Sequence, residues 1–317
     1  MFASENMKNI NVVVLGDNEF AKELGKKGTT SDFTIYNYKG SDMKGGEMTA
    51  SFLVPTSYPE KIQSLTHCLA MADAAILIVK KLDRELGEYI LSLDLLGIKK
   101  GLIIFDDYVE KERFVNLVKN TVIESFVIVD KSPAEIYPRI ANMEPTKNEI
   151  QHVIIDAAFD AKSVGTVVLG VARGEVNVHD ELNVYPGNKK ITIRSIQVHD
   201  KDVKSAKNGE RVGLAIKGAK VEEVERGHIF AKEGVKTGKQ ISGRITKNKY
   251  YQNNLEVGNK IFIAAGLQYR QVEIAALTDD SIILKSEKDI AYIPGQEYLL
   301  IRPESKMRII GKIKVES

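Results

Sequence analysis

The feature that most constrains this chain is a change of rhythm near residue 145. Before it, short apolar runs recur at helix-length intervals: Asn11-Val12-Val13-Val14-Leu15, Ala74 to Val79, Gly101 to Phe105 and Ser125 to Val129. A helix over Ile62–Met71, with Ile62, Leu65 and Leu69 on one face, fits one interval, and the segment after Gly16 reads as another. Strands that are apolar throughout and separated by helices belong to a mostly parallel sheet covered on both faces. After Asn142-Met143-Glu144-Pro145-Thr146 the helical period disappears. Short strands then alternate with turn signals such as Ala172-Arg173-Gly174, Pro186-Gly187-Asn188 and Lys207-Asn208-Gly209. A second break lies at Lys236-Thr237-Gly238. The spacing predicts an α/β domain over 1–145 and two small antiparallel β-barrels over 146–236 and 237–317.

Composition narrows the function classes. The 317 residues are 43% hydrophobic and 28% charged, the balance of a globular protein with real cores. One cysteine, Cys68, excludes an internal disulfide and fits a reducing, cytoplasmic setting. No apolar run reaches the roughly 18 residues of a membrane span, and MFASENMKN does not read as a signal peptide. A net charge of +2 means that affinity for nucleic acid has to come from local clusters. His67 and Cys68 have no neighbours at metal-ligand or nucleophile spacing and read as packing, and no metal is expected.

Three stretches in the middle segment carry a specific resemblance. Gly165-Thr166-Val167-Val168-Leu169-Gly170-Val171-Ala172-Arg173-Gly174 is a glycine-bounded strand and turn, and Val178-His179-Asp180-Glu181-Leu182 is a turn of the V-G-D-E-V kind. Gly209 to Leu214 together with Val221-Glu222-Glu223-Val224-Glu225-Arg226-Gly227 completes the set. In this order and spacing they resemble domain II of the EF-Tu and SelB translation factors. Ile193 to Asp200 is closer to the SelB branch, and Leu24 to Asp32 resembles the archaeal SelB-like, EF-Pyl-like group. The resemblance implies a P-loop GTPase-like first domain followed by two β-barrel domains, as in EF-Tu.

It also allows the nucleotide motifs to be checked. A phosphate loop reads G-x-x-x-x-G-K-[ST], with amides cradling phosphates, Lys neutralising them and a hydroxyl on Mg²⁺. Here Gly16 and Lys22 remain, Ala21 replaces the second glycine, and Glu23 replaces the hydroxyl. Two negative charges ~4 Å apart repel by roughly 4 kcal/mol at intermediate dielectric. The D-x-x-G stretch is Val54-Pro55-Thr56-Ser57, and Tyr58 stands at the family's catalytic His position. The N-K-x-D stretch is Asp106-Asp107-Tyr108-Val109, and the last motif aligns loosely with Asp130-Lys131-Ser132. These losses predict a pseudo-GTPase with no catalytic residue and no expected cofactor. The alternative is a divergent active GTPase using GTP and Mg²⁺ to deliver a special aminoacyl-tRNA, with Glu23 as metal ligand. A third reading is a protein-interaction scaffold.

The resemblance further implies partners, namely tRNA, the ribosome or other translation proteins, for a chain acting as a monomer away from membranes. Glu223, Arg226, Arg194 and His199 would form the pocket for the tRNA 3′ end, the bland alternative being a structural turn pair of Glu225 and Arg226. Arg244, Lys247, Lys249, Tyr250 and Tyr251, with Arg302, Lys306 and Arg308, combine phosphate contact with stacking groups suited to an RNA backbone.

Overall fold

A computed structural model describes residues 8–41 and 45–316. The chain divides into two compact units, 1–146 and 147–317. In the first, seven strands form one mixed sheet: β1 (Lys8–Leu15), β2 (Lys26–Thr30), β3 (Thr34–Ser41), β4 (Glu47–Val54), β5 (Ala74–Val79), β6 (Gly101–Phe105) and β7 (Val127–Ile128). Their order is β2-β3-β4-β1-β5-β6-β7. The four pairings from β4 through β1, β5 and β6 to β7 are parallel, and β2 and β3 extend the sheet as antiparallel strands. The apolar runs seen in the sequence are these parallel strands. β1 is buried from Asn9 to Leu15 because both faces are covered. Only Val127–Ile128 of the run at 125–129 is a strand, and both residues are exposed on the sheet edge.

Four helices complete the unit: α1 (Ile62–Met71), α2 (Arg84–Leu95), α3 (Lys111–Leu117) and α4 (Pro133–Ala141). Helix α1 coincides with the expected segment and buries Ile62, Leu65, Cys68 and Leu69. The Asp83 side chain accepts the Leu86 N–H at 3.0 Å and so starts α2. One expectation fails. The stretch after Gly16 forms a single 3₁₀ turn, Phe20–Glu23, and not a helix. With only Gly25 between this turn's end at Leu24 and the start of β2 at Lys26, the chain has no length for further turns.

In the second unit the described residues contain no α-helix. Its first nine strands are β8 (His152–Ala161), β9 (Gly165–Arg173), β10 (Val176–Asn177), β11 (Glu181–Tyr185), β12 (Lys189–Val198), β13 (Lys201–Val203), β14 (Ser205–Ala206), β15 (Arg211–Lys217) and β16 (Ile229–Ala231). Strands β11-β16-β8-β9-β15-β12 are hydrogen-bonded in that order, and pairing of β11 with β12 closes the ring. The next six are β17 (Lys236–Lys247), β18 (Lys260–Ala265), β19 (Gln268–Leu277), β20 (Ser281–Tyr292), β21 (Glu297–Ile301) and β22 (Ile309–Val315). They form a closed barrel, β17-β20-β19-β18-β21-β22. Alternating Ile, Val and Leu fill both interiors.

The two barrels share a seam of Ile229, Ala231, Val235, Ala291 and Ile293. Gly227 shows why the sequence turns there on glycine: its φ is +90°, and a Cβ would lie 2.7 Å from Gln268 Cγ. Among the described residues no helix is long and apolar enough to cross a membrane.

Candidate functional site

Each of the parallel strands β1, β5, β6 and β7 runs, within three residues of its end, into charged residues: Asp17, Lys80, Asp106 and Asp130-Lys131. Ligands of open α/β sheets bind at these carboxyl ends. The Asp17 carboxylate sits at the centre of the group. Lys131 Nζ donates to its Oδ2 at 2.8 Å, and Lys80 Nζ lies 3.0 Å from the same oxygen. Its Oδ1 accepts the backbone N–H groups of Glu19 at 3.1 Å and Phe20 at 3.3 Å. Asp106 stands 3.8 Å from Lys131 on the outer side. Burial by itself would raise the Asp17 carboxyl, but the hydrogen bonds from Lys131, Lys80 and Phe20 bring it down to about 2. The same contact with Asp17 holds Lys131 above the usual lysine range. Gly16, at φ +92°, makes room for the turn, since a Cβ there would meet the Ile78 carbonyl oxygen.

This geometry revises the reading of the phosphate loop. The positive groups that converge here, two lysines and two N–H donors, already hold an anion, and it is the protein's own carboxylate. Lys22 is not among them; it points to the surface and pairs with Glu19. Ala21 is buried under the turn, and Glu23 is exposed. A helix N-terminus, which would supply aligned N–H groups and the dipole, is missing because the turn is 3₁₀ and four residues long. Val54 is buried at the end of β4, and Ser57 gives its N–H to the Asp32 carbonyl. Tyr58 points between α1 and α2: its hydroxyl donates to buried Glu88 at 2.8 Å, and its ring lies 5.0 Å from that of Tyr89. Asp107 is exposed and Val109 half-buried. Sequence reasoning missed Asp17 as the hub and Lys80 as its partner. The available signal was a lysine right after β5 and another just beyond β7.

In the second unit the four residues assigned to a tRNA 3′-end pocket have these surroundings. Glu223 accepts the Lys220 N–H at 2.9 Å and meets Lys189 Nζ at 2.9 Å, the first contact being the main reason its carboxyl is lowered. His199 lies beyond the far end of β12, at φ +50° in the tight turn to β13. Ten residues of strand between Lys189 and His199 span roughly 30 Å. Arg194 donates to the Val164 carbonyl at 3.2 Å. Arg226 is held on buried Asp156, through Nε to the main-chain carbonyl at 2.9 Å and Nη2 to the carboxylate at 3.1 Å. Glu225 reaches Arg270 of the second barrel at 3.2 Å. The E-R-G stretch therefore works as a joint between the barrels.

The two basic stretches of the last barrel do come together. Lys247 pairs with Gly311, and Asn248 gives its N–H to the Ile310 carbonyl at 2.7 Å and its side-chain amide to the Ile309 carbonyl at 3.0 Å. The turn after β17 thus sits against the start of β22, next to the 302–308 loop. Not every residue there is available. Arg308 is 6% exposed, Arg302 is tied to Asn259 at 2.8 Å, and Tyr251 packs on the barrel core. Lys247, Lys249, Lys306 and Tyr250 face outward, with Lys249 Nζ 5.0 Å from the centre of the Tyr250 ring. Arg244 is exposed along β17. Among the described residues no group of three His, Cys, Asp or Glu side chains is placed to hold a metal ion.

A P-loop-like α/β unit followed by two six-stranded antiparallel barrels, one keeping the glycine turns of a translation-factor second domain, defines the class: the fold of the translational GTPases. Comparison with known proteins agrees. The family "Elongation factor Tu domain 2" matches residues 165–231. The chain is 37% identical over 309 residues to MJ0325 of Methanocaldococcus jannaschii, an uncharacterized protein, covering 96% of this chain and 99% of that one. It is 29% identical over 312 residues to the selenocysteine-specific elongation factor of the same organism, covering 84% of this chain and 66% of that longer protein. Among solved structures, translation elongation factor SelB from Methanococcus maripaludis, in complex with the GTP analogue GppNHp, superposes with a TM-score of 0.82 at 21% identity, over 98% of this chain and 80% of that one. The chain belongs to one family with MJ0325 and is itself a relative of the EF-Tu- and SelB-type translation elongation factors.

Proposed function

We propose that this protein is a nucleotide-independent member of that family, binding RNA, tRNA foremost, as a cytoplasmic translation-associated factor. One observation carries the reading: the Asp17 carboxylate occupies the place where two lysines and two backbone N–H groups converge. A triphosphate with Mg²⁺ does not fit these residues. It would have to displace an ionised, doubly paired carboxylate, and it would find no helix terminus and no inward lysine from the loop. We place the domain boundaries at 145/146 and 236/237. RNA contact is assigned to the outward residues of the last barrel, Lys247, Lys249, Lys306 and Tyr250, and not to Glu223, whose carboxylate is engaged by Lys189 and the Lys220 N–H. Phosphate neutralisation by lysines with an exposed tyrosine alongside is the arrangement that RNA backbone and unpaired bases accept.

The test is a fluorescence-anisotropy titration of nucleotide-free protein with tRNA at low salt. Saturable binding, unchanged by GTP or GDP, is expected. No RNA affinity at low salt would leave the protein-scaffold reading in its place.

A further inference from the structure

Away from the loop, polar contacts converge on Asp32, in the turn between β2 and β3. Its main-chain carbonyl accepts the Ser57 N–H at 2.9 Å, the Ser64 hydroxyl at 2.7 Å and the Thr56 hydroxyl at 3.2 Å. Its carboxylate meets His67 Nδ1 at 2.8 Å and the Ser31 hydroxyl at 3.0 Å. Four of these partners come from one stretch, Thr56–His67, which runs from just after β4 into the first turns of α1. Ser64 and His67 are three residues apart and so share one helix face. His67 is 7% exposed, and its other ring nitrogen, Nε2, meets no partner among the described residues. A buried imidazole that leaves one nitrogen unsatisfied is held by what the other one binds.

The β2–β3 turn is thereby pinned from two sides. Strand pairing of Thr34 with Val54 fixes it along the sheet, and the Asp32 contacts fix it to α1. In GTPases the corresponding loops are ordered by contacts to the γ-phosphate and its Mg²⁺, and released on hydrolysis. Here the contacts that would order them run from protein to protein.

We propose that Asp32 is a built-in latch that keeps the β2–β3 turn closed on helix α1 without any ligand. The inference rests on the reading of a nucleotide-independent first unit, but it does not require RNA binding. The latch removes the need for an ordering ligand, and it also removes the means of releasing the turn. Loss of the latch should free the turn and the start of α1 while leaving β5 and β6 untouched.

Amide hydrogen exchange on the full chain tests this. In the wild type, peptides covering 28–36 and 56–68 should exchange slowly, at the same rate with and without GTP, GDP and Mg²⁺. The double variant Asp32→Ala, Ser64→Ala removes the His67 and Ser64 contacts and keeps those of Ser57 and Thr56 to the main-chain carbonyl; both peptides should exchange about tenfold faster, as expected when part-buried hydrogen bonds are lost, with the β5–β6 peptides unchanged. Protection that appears only with GTP would overturn the latch and the nucleotide-independent reading together. Unchanged exchange in the double variant would overturn the latch alone. If that variant does not fold, the wild-type comparison still decides, since ligand-dependent protection contradicts a latch that needs no ligand.

Discussion

Changing Asp17 to Asn keeps the side chain's size and removes the negative charge from between Lys80 and Lys131. The wild-type carboxyl is lowered from 3.8 to about 2, so ionisation favours the folded state. That contribution is fully present above the unfolded value and is lost as pH falls through the folded one. Its magnitude at neutral pH is about 2 kcal/mol. Urea denaturation of Asp17→Asn should therefore show a loss of that order at pH 7, and the gap to wild type should close between about pH 4 and pH 2. Lys22→Ala should behave differently. Its partner Glu19 is even more exposed than the lysine itself, so the denaturation midpoint should not move. A large loss of stability in Lys22→Ala would show that this lysine, and not Asp17, organises the loop.

At the scale of elements, the parallel strands were legible because a strand buried on both faces has to be apolar throughout, as Val12 to Leu15 and Ala74 to Val79 are. Helix α1 was legible from its 3.6-residue period. The 3₁₀ turn was not, because a motif alignment at Lys22 invites a helix that the short path from Gly16 to β2 leaves no room for. The hub at Asp17 was hidden for another reason: its lysines arrive from the ends of β5 and β7, 63 and 114 residues further on by their numbers. Glu23→Thr should accordingly produce no GTP turnover, since a restored hydroxyl leaves the 3₁₀ turn and the filled anion position as they are. The E-R-G stretch was legible as a turn pattern but not as a joint, because Asp156, Gln268 and Arg270 are remote in sequence. Gly227→Ala should cost roughly 1–3 kcal/mol, from the positive φ and the approach of Gln268. A thermal melt of the variant checks this, and an unchanged midpoint would mean that the two barrels are not held at Gly227.

In the proposed function, two surfaces that a GTP-using factor couples act separately. The first unit carries its own anion, and the outward lysines of the last barrel remain available to an external one. Replacing Lys247 and Lys249 by Ala should flatten the salt dependence of tRNA binding by about 1.4–1.8 in the log–log slope, because each neutralised phosphate releases condensed counterions. A slope unchanged by both substitutions would move the RNA contact elsewhere. The central claim, that Asp17 fills the site a nucleotide would use, is tested most directly by calorimetric titration of nucleotide-free protein with GTP and GDP in the presence of Mg²⁺. No binding tighter than ~0.1 mM, about −5.5 kcal/mol, is expected. Micromolar, Mg²⁺-dependent, guanine-selective binding would contradict it.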